Sequence, residues 1–211
     1  MKHIITILIL VLSTQVFSQV DQKAKAILDQ VSAKTKSYPS ITADFTFKME
    51  NKQAKINESN KGSIIIQGNK YCLSISGIEI ISDGKSTWTI MKDAGEVNIS
   101  DAGSDDTVLN PAKIFTIYNQ GFKNTYIGEA TSNNKPVHKI ELVPTTAKDF
   151  KKVILEIEKA TSQITGAVMF GNDNNEYTIT ISSMNTAKTY PESTFTFNKS
   201  KYPKLEVIDM R

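Results

Sequence analysis

Segment after segment of this chain alternates apolar and polar residues with a period of two, and a chain written that way folds as a sheet with one dry face. Ile41, Ala43, Phe45, Phe47 and Met49 alternate with Thr42, Asp44, Thr46, Lys48 and Glu50. Successive side chains of a strand point to opposite faces, so the first set shares one side and the second the other. Ser63–Gln67 is a short apolar run, Gly68-Asn69 reads as a turn, and Tyr71, Leu73 and Ile75 share a face. Residues 78–82 and 85–91 flank Asp83-Gly84, a hairpin signal. Further strands are predicted near 122–129, 136–143, 151–159, 164–170, 176–184 and 193–198, the last followed by an extended tail. The sum is about ten antiparallel strands, and a sheet that long must curl. Its other face, rich in Thr, Ser, Lys and Glu, is expected to meet water. A closed barrel and a half-barrel with helices over its concave face both fit the pattern.

Helical spacing occurs in two places. Ala24, Ile27, Leu28 and Val31 fall at i, i+3, i+4 and i+7, which predicts a helix over 20–37 that Pro39 ends. In mid-chain, after a Gly- and Asp-rich loop at 101–106, Asn110 suits an N-cap and Pro111 the first helical position. A short apolar helix is expected there, carrying Ile114, Phe115, Ile117 and Tyr118. The fold class predicted is thus α+β, mostly β. No internal repeat or linker divides residues 19–211, which read as a single domain.

Residues 1–18 read as a secretory signal peptide. Lys2 supplies the basic start, Ile4–Val11 an apolar run too short for a bilayer, and Val16 and Ser18 the −3 and −1 positions of a cleavage site before Gln19. The periplasm is the expected location. The net charge of +3, or +2 without the leader's one lysine, argues against a nucleic-acid surface. The single cysteine, Cys72, rules out an intramolecular disulfide. Apart from His3 in the leader, the one histidine is His138, expected as a satisfied, partly buried strand residue, and Cys72 as a small buried hydrophobe. One His and one Cys give no zinc spacing, and neither Asp101, Asp105 and Asp106 nor residues 172–175 carry a calcium-loop pattern, so these are expected to be turn formers. No catalytic set, metal or cofactor is predicted.

Five segments, in order along the chain, carry a resemblance. Tyr38-Pro39-Ser40-Ile41-Thr42-Ala43-Asp44-Phe45-Thr46 is a helix exit and opening strand. Lys61-Gly62-Ser63-Ile64-Ile65-Ile66 is a second strand led by Gly. Ser82-Asp83-Gly84-Lys85-Ser86-Thr87-Trp88 is a D-G-K-x-x-W hairpin, and Asn110-Pro111 through Phe115 a Pro-led short helix. Phe195-Thr196-Phe197, Pro203 and Glu206-Val207-Ile208-Asp209 complete an F-x-F…P…V-x-x-D ending. Together they resemble the LolA family of outer-membrane lipoprotein carriers.

The resemblance implies an unclosed antiparallel half-barrel with lid helices over an apolar hollow. It implies a non-enzymatic, monomeric periplasmic carrier that takes acylated lipoproteins from an inner-membrane ABC transporter and hands them to an outer-membrane acceptor. An acyl chain costs ~0.8 kcal/mol per methylene to expose to water, so such a carrier needs a broad dry surface. Phe45, Phe47, Ile64, Ile66, Leu73, Ile75, Trp88 and Ile90 are the expected lipid-binding wall, and Ile114, Phe115 and Ile117 the cover. The same fold also suits a carrier of free lipid, glycolipid or an acylated envelope metabolite, or an envelope sensor of lipoproteins. Members of the family have an Arg-Pro pair after the second strand whose Arg tethers the lid. Here Gly68-Asn69 stands there, and the chain's one arginine is Arg211. Lys70, a hydroxyl, or apolar contact alone must then hold the lid.

Overall fold

The computed structural model describes residues 21–103 and 111–211. The signal-peptide reading of 1–18, the Asn110 cap and the roles of Asp105 and Asp106 lie outside the described residues. Helix α1 (Gln22–Lys36) begins at Asp21, whose carboxylate accepts hydrogen bonds from the backbone N–H of Lys23 (3.0 Å) and Ala24 (2.9 Å). The predicted stripe of Ala24, Ile27, Leu28 and Val31 is its buried face. Lys34 and Lys36 occupy its last turn, where the helix dipole favours positive charge.

Twelve strands follow: β1 (Ile41–Asn51), β2 (Ile56–Gln67), β3 (Lys70–Ile75), β4 (Ile78–Ser82), β5 (Ser86–Met91), β6 (Glu96–Asp101), β7 (Phe122–Ser132), β8 (Lys135–Pro144), β9 (Phe150–Glu158), β10 (Ile164–Gly171), β11 (Glu176–Asn185) and β12 (Glu206–Asp209). They form one sheet in the order β12-β6-β5-β4-β3-β2-β1-β11-β10-β9-β8-β7, which does not close on itself. All neighbours are antiparallel except β12, which runs parallel to β6 at one edge. The half-barrel with an N-terminal helix is therefore the fold, with twelve strands where about ten were expected.

Three differences have physical causes. Strand β2 starts at Ile56 rather than Ser63, because its first half carries Asn57, Glu58, Ser59, Asn60 and Lys61 and shows no dry face to reveal it. Strand β6 was missed because its apolar residues, Val97 and Ile99, alternate over only two periods. The segment 193–198 is not a strand. Pro191 precedes a 3₁₀ helix, Glu192–Phe195, and the alternating Phe195 and Phe197 pack onto the sheet instead of joining it.

The strand order dictates what covers the sheet. After β6 the chain must travel from one edge to the other to begin β7, and it does so across the concave face, carrying two 3₁₀ helices, Pro111–Phe115 and Ile117–Asn119. The mid-chain helix expected from the sequence is present, wound more tightly than an α-helix. After β11, at the centre, the chain returns across the convex face to add β12 beside β6. Hydrogen bonds mark that second path: Ser40 Oγ to the Lys188 carbonyl (2.7 Å), Thr42 Oγ1 with the Tyr190 hydroxyl (2.7 Å) and Cys72 Sγ to the Thr194 carbonyl (3.0 Å). Each face thus has its own crossover. Elsewhere the convex face is wet, laced by Lys152–Glu141 (2.7 Å) and Lys139–Glu156 (3.3 Å).

The Asp83-Gly84 turn is a three-residue connection. Asp83 Oδ1 accepts from the N–H of Lys85 and of Ser86, both at 2.8 Å, and Gly84 takes the positive φ of 86° that the loop requires.

Candidate functional site: an apolar hollow under a crossover lid

Cross-strand register lines up a continuous row on the concave face. Phe47 faces Ile179, which faces Ala167, then Leu155, Ile140 and Tyr126. A parallel row runs the other way: Ala43 faces Ile64, then Leu73 and Ile80. Beyond Ile80 that row turns polar, with Thr89 and Asn98. The dry surface is therefore centred on β1, with its neighbours β2–β4 and β8–β11, and helix α1 packs on the same cluster.

Ile114, Phe115 and Tyr118 of the lid are buried against this surface, and Ile117 is half-buried. Beneath them remains a crevice of about 30 Å³, walled by Phe47, Val153, Leu155, Ala167, Met169, Tyr177 and Ile179 and roofed by Lys113, Ile114 and Ile117. A single water needs ~10–15 Å³ of such space, so the crevice has no room for an acyl chain with the lid down. Phe47 stacks on Tyr177 along its floor, ring centres 6.1 Å apart.

The structure gathers nine of the eleven sequence-predicted residues here. Phe45, Phe47, Ile64, Ile66, Leu73, Ile75, Ile114, Phe115 and Ile117 belong to, or pack against, the one core cluster. Trp88 and Ile90 do not join them. Trp88 pairs across strands with Ile81 and Ile99, and Ile90 with Val97, which puts them on the convex face. There Trp88 stacks on Phe197, and Phe197 on Tyr202 (6.4 and 5.7 Å), beneath the returning C-terminal segment. The apolar alternation of β5 is thus inverted relative to β3. Conversely, six of the seven wall residues come from β9–β11, which sequence reasoning left out of the site. The signal was present, because Val153 and Leu155, Ala167 and Met169, and Tyr177 and Ile179 each alternate with period two.

Two side chains rule on the missing arginine. Lys70 turns its amine to the convex side, onto Glu192 Oε1 at 2.5 Å, away from the lid. Arg211 lies at the far edge, with Asp209 and Ser86. A hydroxyl is better placed: buried Tyr118 of the lid has the Thr35 side chain of α1 as a polar partner. Burial pushes the Tyr118 phenol above its usual range, which keeps it a neutral hydroxyl. Removing that hydroxyl, by Tyr118→Phe, is expected to cost about 1 kcal/mol of closed-lid stability. Stopped-flow binding of an apolar fluorophore should show faster entry and faster release; unchanged rates would mean that the lid is held by apolar contact alone.

A second, wider cavity of about 690 Å³ opens beside the crevice, between the end of α1, the lid and the β2–β3 and β4–β5 turns. Its walls include Thr35, Lys36, Tyr71, Ser82, Thr87 and Thr116, and it shares Lys113 with the crevice.

The one histidine and the one cysteine among the described residues both sit on strands, β8 and β3. His138 lies half-buried on β8, edge-on to Tyr126 with ring centres 5.7 Å apart. Its Nδ1 has no hydrogen-bond partner, with Glu129 Oε1 at 3.7 Å, so it is less satisfied than expected. Burial and the charge of Lys159 lower its pKa. Burial likewise pushes the Cys72 thiol up to about 11, leaving it protonated. The 172–175 segment is a turn, closed by Asp173 Oδ1 accepting from the Asn175 N–H at 3.0 Å.

The family model of the outer membrane lipoprotein carrier protein LolA matches residues 12–169, more than half of the chain. Sequence comparison with curated proteins finds no match. Among solved structures, an uncharacterized conserved protein from Thermus thermophilus superposes with a TM-score of 0.61 at 12% identity, over 89% of this chain and 99% of that one. A putative outer membrane lipoprotein-sorting protein domain from Vibrio parahaemolyticus gives a TM-score of 0.48 at 11% identity, over 86% and 98%. LprF from Mycobacterium bovis gives 0.46 at 16%, over 81% and 97%. At such identities, the likeness to the Thermus protein establishes a shared fold.

Proposed function

We propose that this chain, which belongs to the family of the outer membrane lipoprotein carrier protein LolA, shields the acyl chains of lipoproteins and moves them from the inner to the outer membrane. Residues 1–18 export it, and residues 19–211 are the carrier, receiving cargo from an inner-membrane ABC transporter and releasing it to an outer-membrane acceptor. The observation that carries this reading is the crevice under the lid. It is lined almost wholly by apolar side chains, lies across the middle of an open sheet, and is filled by the protein's own lid.

The energetics fit a reversible carrier. Lifting Ile114 and Phe115 off the sheet costs ~1.5–3 kcal/mol each, and separating Tyr118 from Thr35 about 1 kcal/mol more. At ~0.8 kcal/mol per buried methylene, a chain of roughly five to nine methylenes balances that cost. Longer or multiple chains hold the lid open, and a partner offering a drier surface takes them away by difference in affinity, with no cofactor.

Native mass spectrometry of the protein isolated gently from periplasm tests the proposal. A one-to-one complex with a triacylated lipoprotein is the expected result. Free-lipid adducts in its place would move the cargo assignment to lipids or glycolipids. An empty protein after incubation with lipoprotein-loaded membranes and an active exporter would remove the carrier role.

A further inference from the structure

We infer that the outer edge of β2 over residues 56–61 is a strand-addition site, which pairs with the extended polypeptide segment leading out of the hollow from an acylated cargo. The inference rests on the carrier reading and adds the cargo's polypeptide to its acyl chains.

Strand β2 outruns its neighbour. β1 lies beside it from Ile56 to Ile66, whereas β3 pairs with it only from Gly62 to Gln67 and ends at Ile75, opposite Gly62. Residues 56–61 therefore form an edge within the sheet's outline. The direction of its backbone groups follows from the ladders. The Ala102 N–H donates to the Lys85 carbonyl (2.8 Å) and the Asp83 N–H to the Ser86 carbonyl (3.3 Å), which sets the residues through which β5 bonds to β6 and to β4. Alternation carried across β4 and β3 turns Ser63, Ile65 and Gln67 toward β3. By the same alternation Asn57, Ser59 and Lys61 turn their N–H and C=O groups into the gap. Among the described residues, nothing pairs with those groups.

The sheet's other edges are guarded or short. On β7 the Tyr126 N–H is taken by Asp21 Oδ2 at 2.7 Å, and a bulge interrupts the strand between Tyr126 and Gly128. Strand β12 has four residues. The 56–61 edge has neither bulge, Gly nor Pro, and an unpaired row of this kind is a template for another strand.

Position selects the occupant. Phe47, part of the crevice wall, faces Asn60 across the β1–β2 ladder, and Met49 faces Glu58. Strands lie ~4.8 Å apart, so a strand added to β2 runs roughly 10 Å from β1. A polypeptide whose acyl groups lie under the lid reaches it directly. Asn57, Glu58, Ser59 and Lys61 are exposed and polar, so the contact is made by backbone and suits a hydrophilic tail of any sequence. Tethering supplies the affinity. An edge that binds a free peptide with a Kd of ~1 mM gains about tenfold when the acyl anchor holds the segment at ~10 mM.

Two lipopeptides with the same triacylated cysteine separate this site from the carrier role. One carries a Ser- and Thr-rich tail of about eight residues; the other carries that tail N-methylated at every residue, which cannot donate to a strand. Each displaces an apolar fluorophore from the full-length protein. The wild type should favour the unmethylated ligand by about tenfold. Ser59→Pro deletes the central outward N–H and sets its ring in the gap while sparing the ladder to β1. It should bring the ratio close to one and leave affinity for the methylated ligand unchanged. In the wild type, the amides of Asn57, Ser59 and Lys61 should exchange with solvent more slowly when the unmethylated ligand is bound, and not with the methylated one. Equal affinity of the wild type for both, a ratio that survives Ser59→Pro, or amides that gain no protection would overturn the site and leave the carrier standing. If neither lipopeptide displaces the fluorophore, the carrier reading falls and the site with it. A dimer of the free protein that Ser59→Pro dissociates would assign the edge to a second copy and overturn the proposal.

Discussion

Phe47→Glu should leave a folded protein that no longer takes up acyl chains. Phe47 is half-buried, lies at the centre of the concave row opposite Ile179, and forms the crevice floor with Tyr177. The substitution removes an apolar contact worth ~1.5–3 kcal/mol and places a carboxylate against Leu155, Ala167 and Met169. An unpaired charge there costs several kcal/mol on binding, so an apolar fluorophore should bind on the order of 100-fold more weakly. Lys113 roofs the same crevice and is able to neutralise a carboxylate, so Phe47→Gln is the companion variant. It too should bind much more weakly than the wild type. Circular dichroism should report an intact sheet for both. Wild-type uptake by both variants would remove the crevice as the cargo site.

The largest loss of stability should come from the other face. Phe195 is fully buried, edge-on to Tyr190 at 6.4 Å, and belongs to the segment that returns over β3 and β4 rather than to the hollow's core. Phe195→Ala should cost about 3–5 kcal/mol, a large share of the ~5–15 kcal/mol that holds a typical domain together. Urea unfolding followed through Trp88, the chain's single tryptophan, reads this directly, because Trp88 stacks on Phe197 of the same segment. A loss below about 1 kcal/mol would mean that the segment is an appendage, since a fully buried Phe cannot be truncated so cheaply.

These two predictions also mark what was legible in the sequence. The concave wall on β1–β3 could be read residue by residue, because Phe45, Phe47, Ile64, Ile66, Leu73 and Ile75 alternate with polar partners and the pleat turns alternation into sidedness. Which side a given strand's apolar residues take is another matter. Trp88 and Ile90 alternate as cleanly as Leu73 and Ile75, yet they face the opposite way, because a second apolar layer, Phe195 and Phe197, lies outside the sheet. Periodicity fixes the relative orientation of neighbours within a strand and is silent between strands. The same silence hid the contribution of β9–β11, whose pattern was visible but whose position beside β1 depends on a pairing of residues more than a hundred apart. The hydroxyl latch was open for a simpler reason. Thr35 and Tyr118 are ordinary residues on separate elements, and only the crossover brings them together.

The sheet's failure to close has a bearing on cargo range. In a closed barrel, strand number and stagger fix the girth, and widening it means breaking a ladder of hydrogen bonds. Here β12 and β7 are free margins with no strand joining them among the described residues, so the trough can flex through small changes in twist between neighbouring strands while every ladder stays intact. Its width becomes an elastic variable and not a constant of the fold. Such a vessel does not select cargo by calibre. Under the proposed carrier role it would accept one chain or three, saturated or bent, and discrimination would pass to the partners proposed to load and unload it.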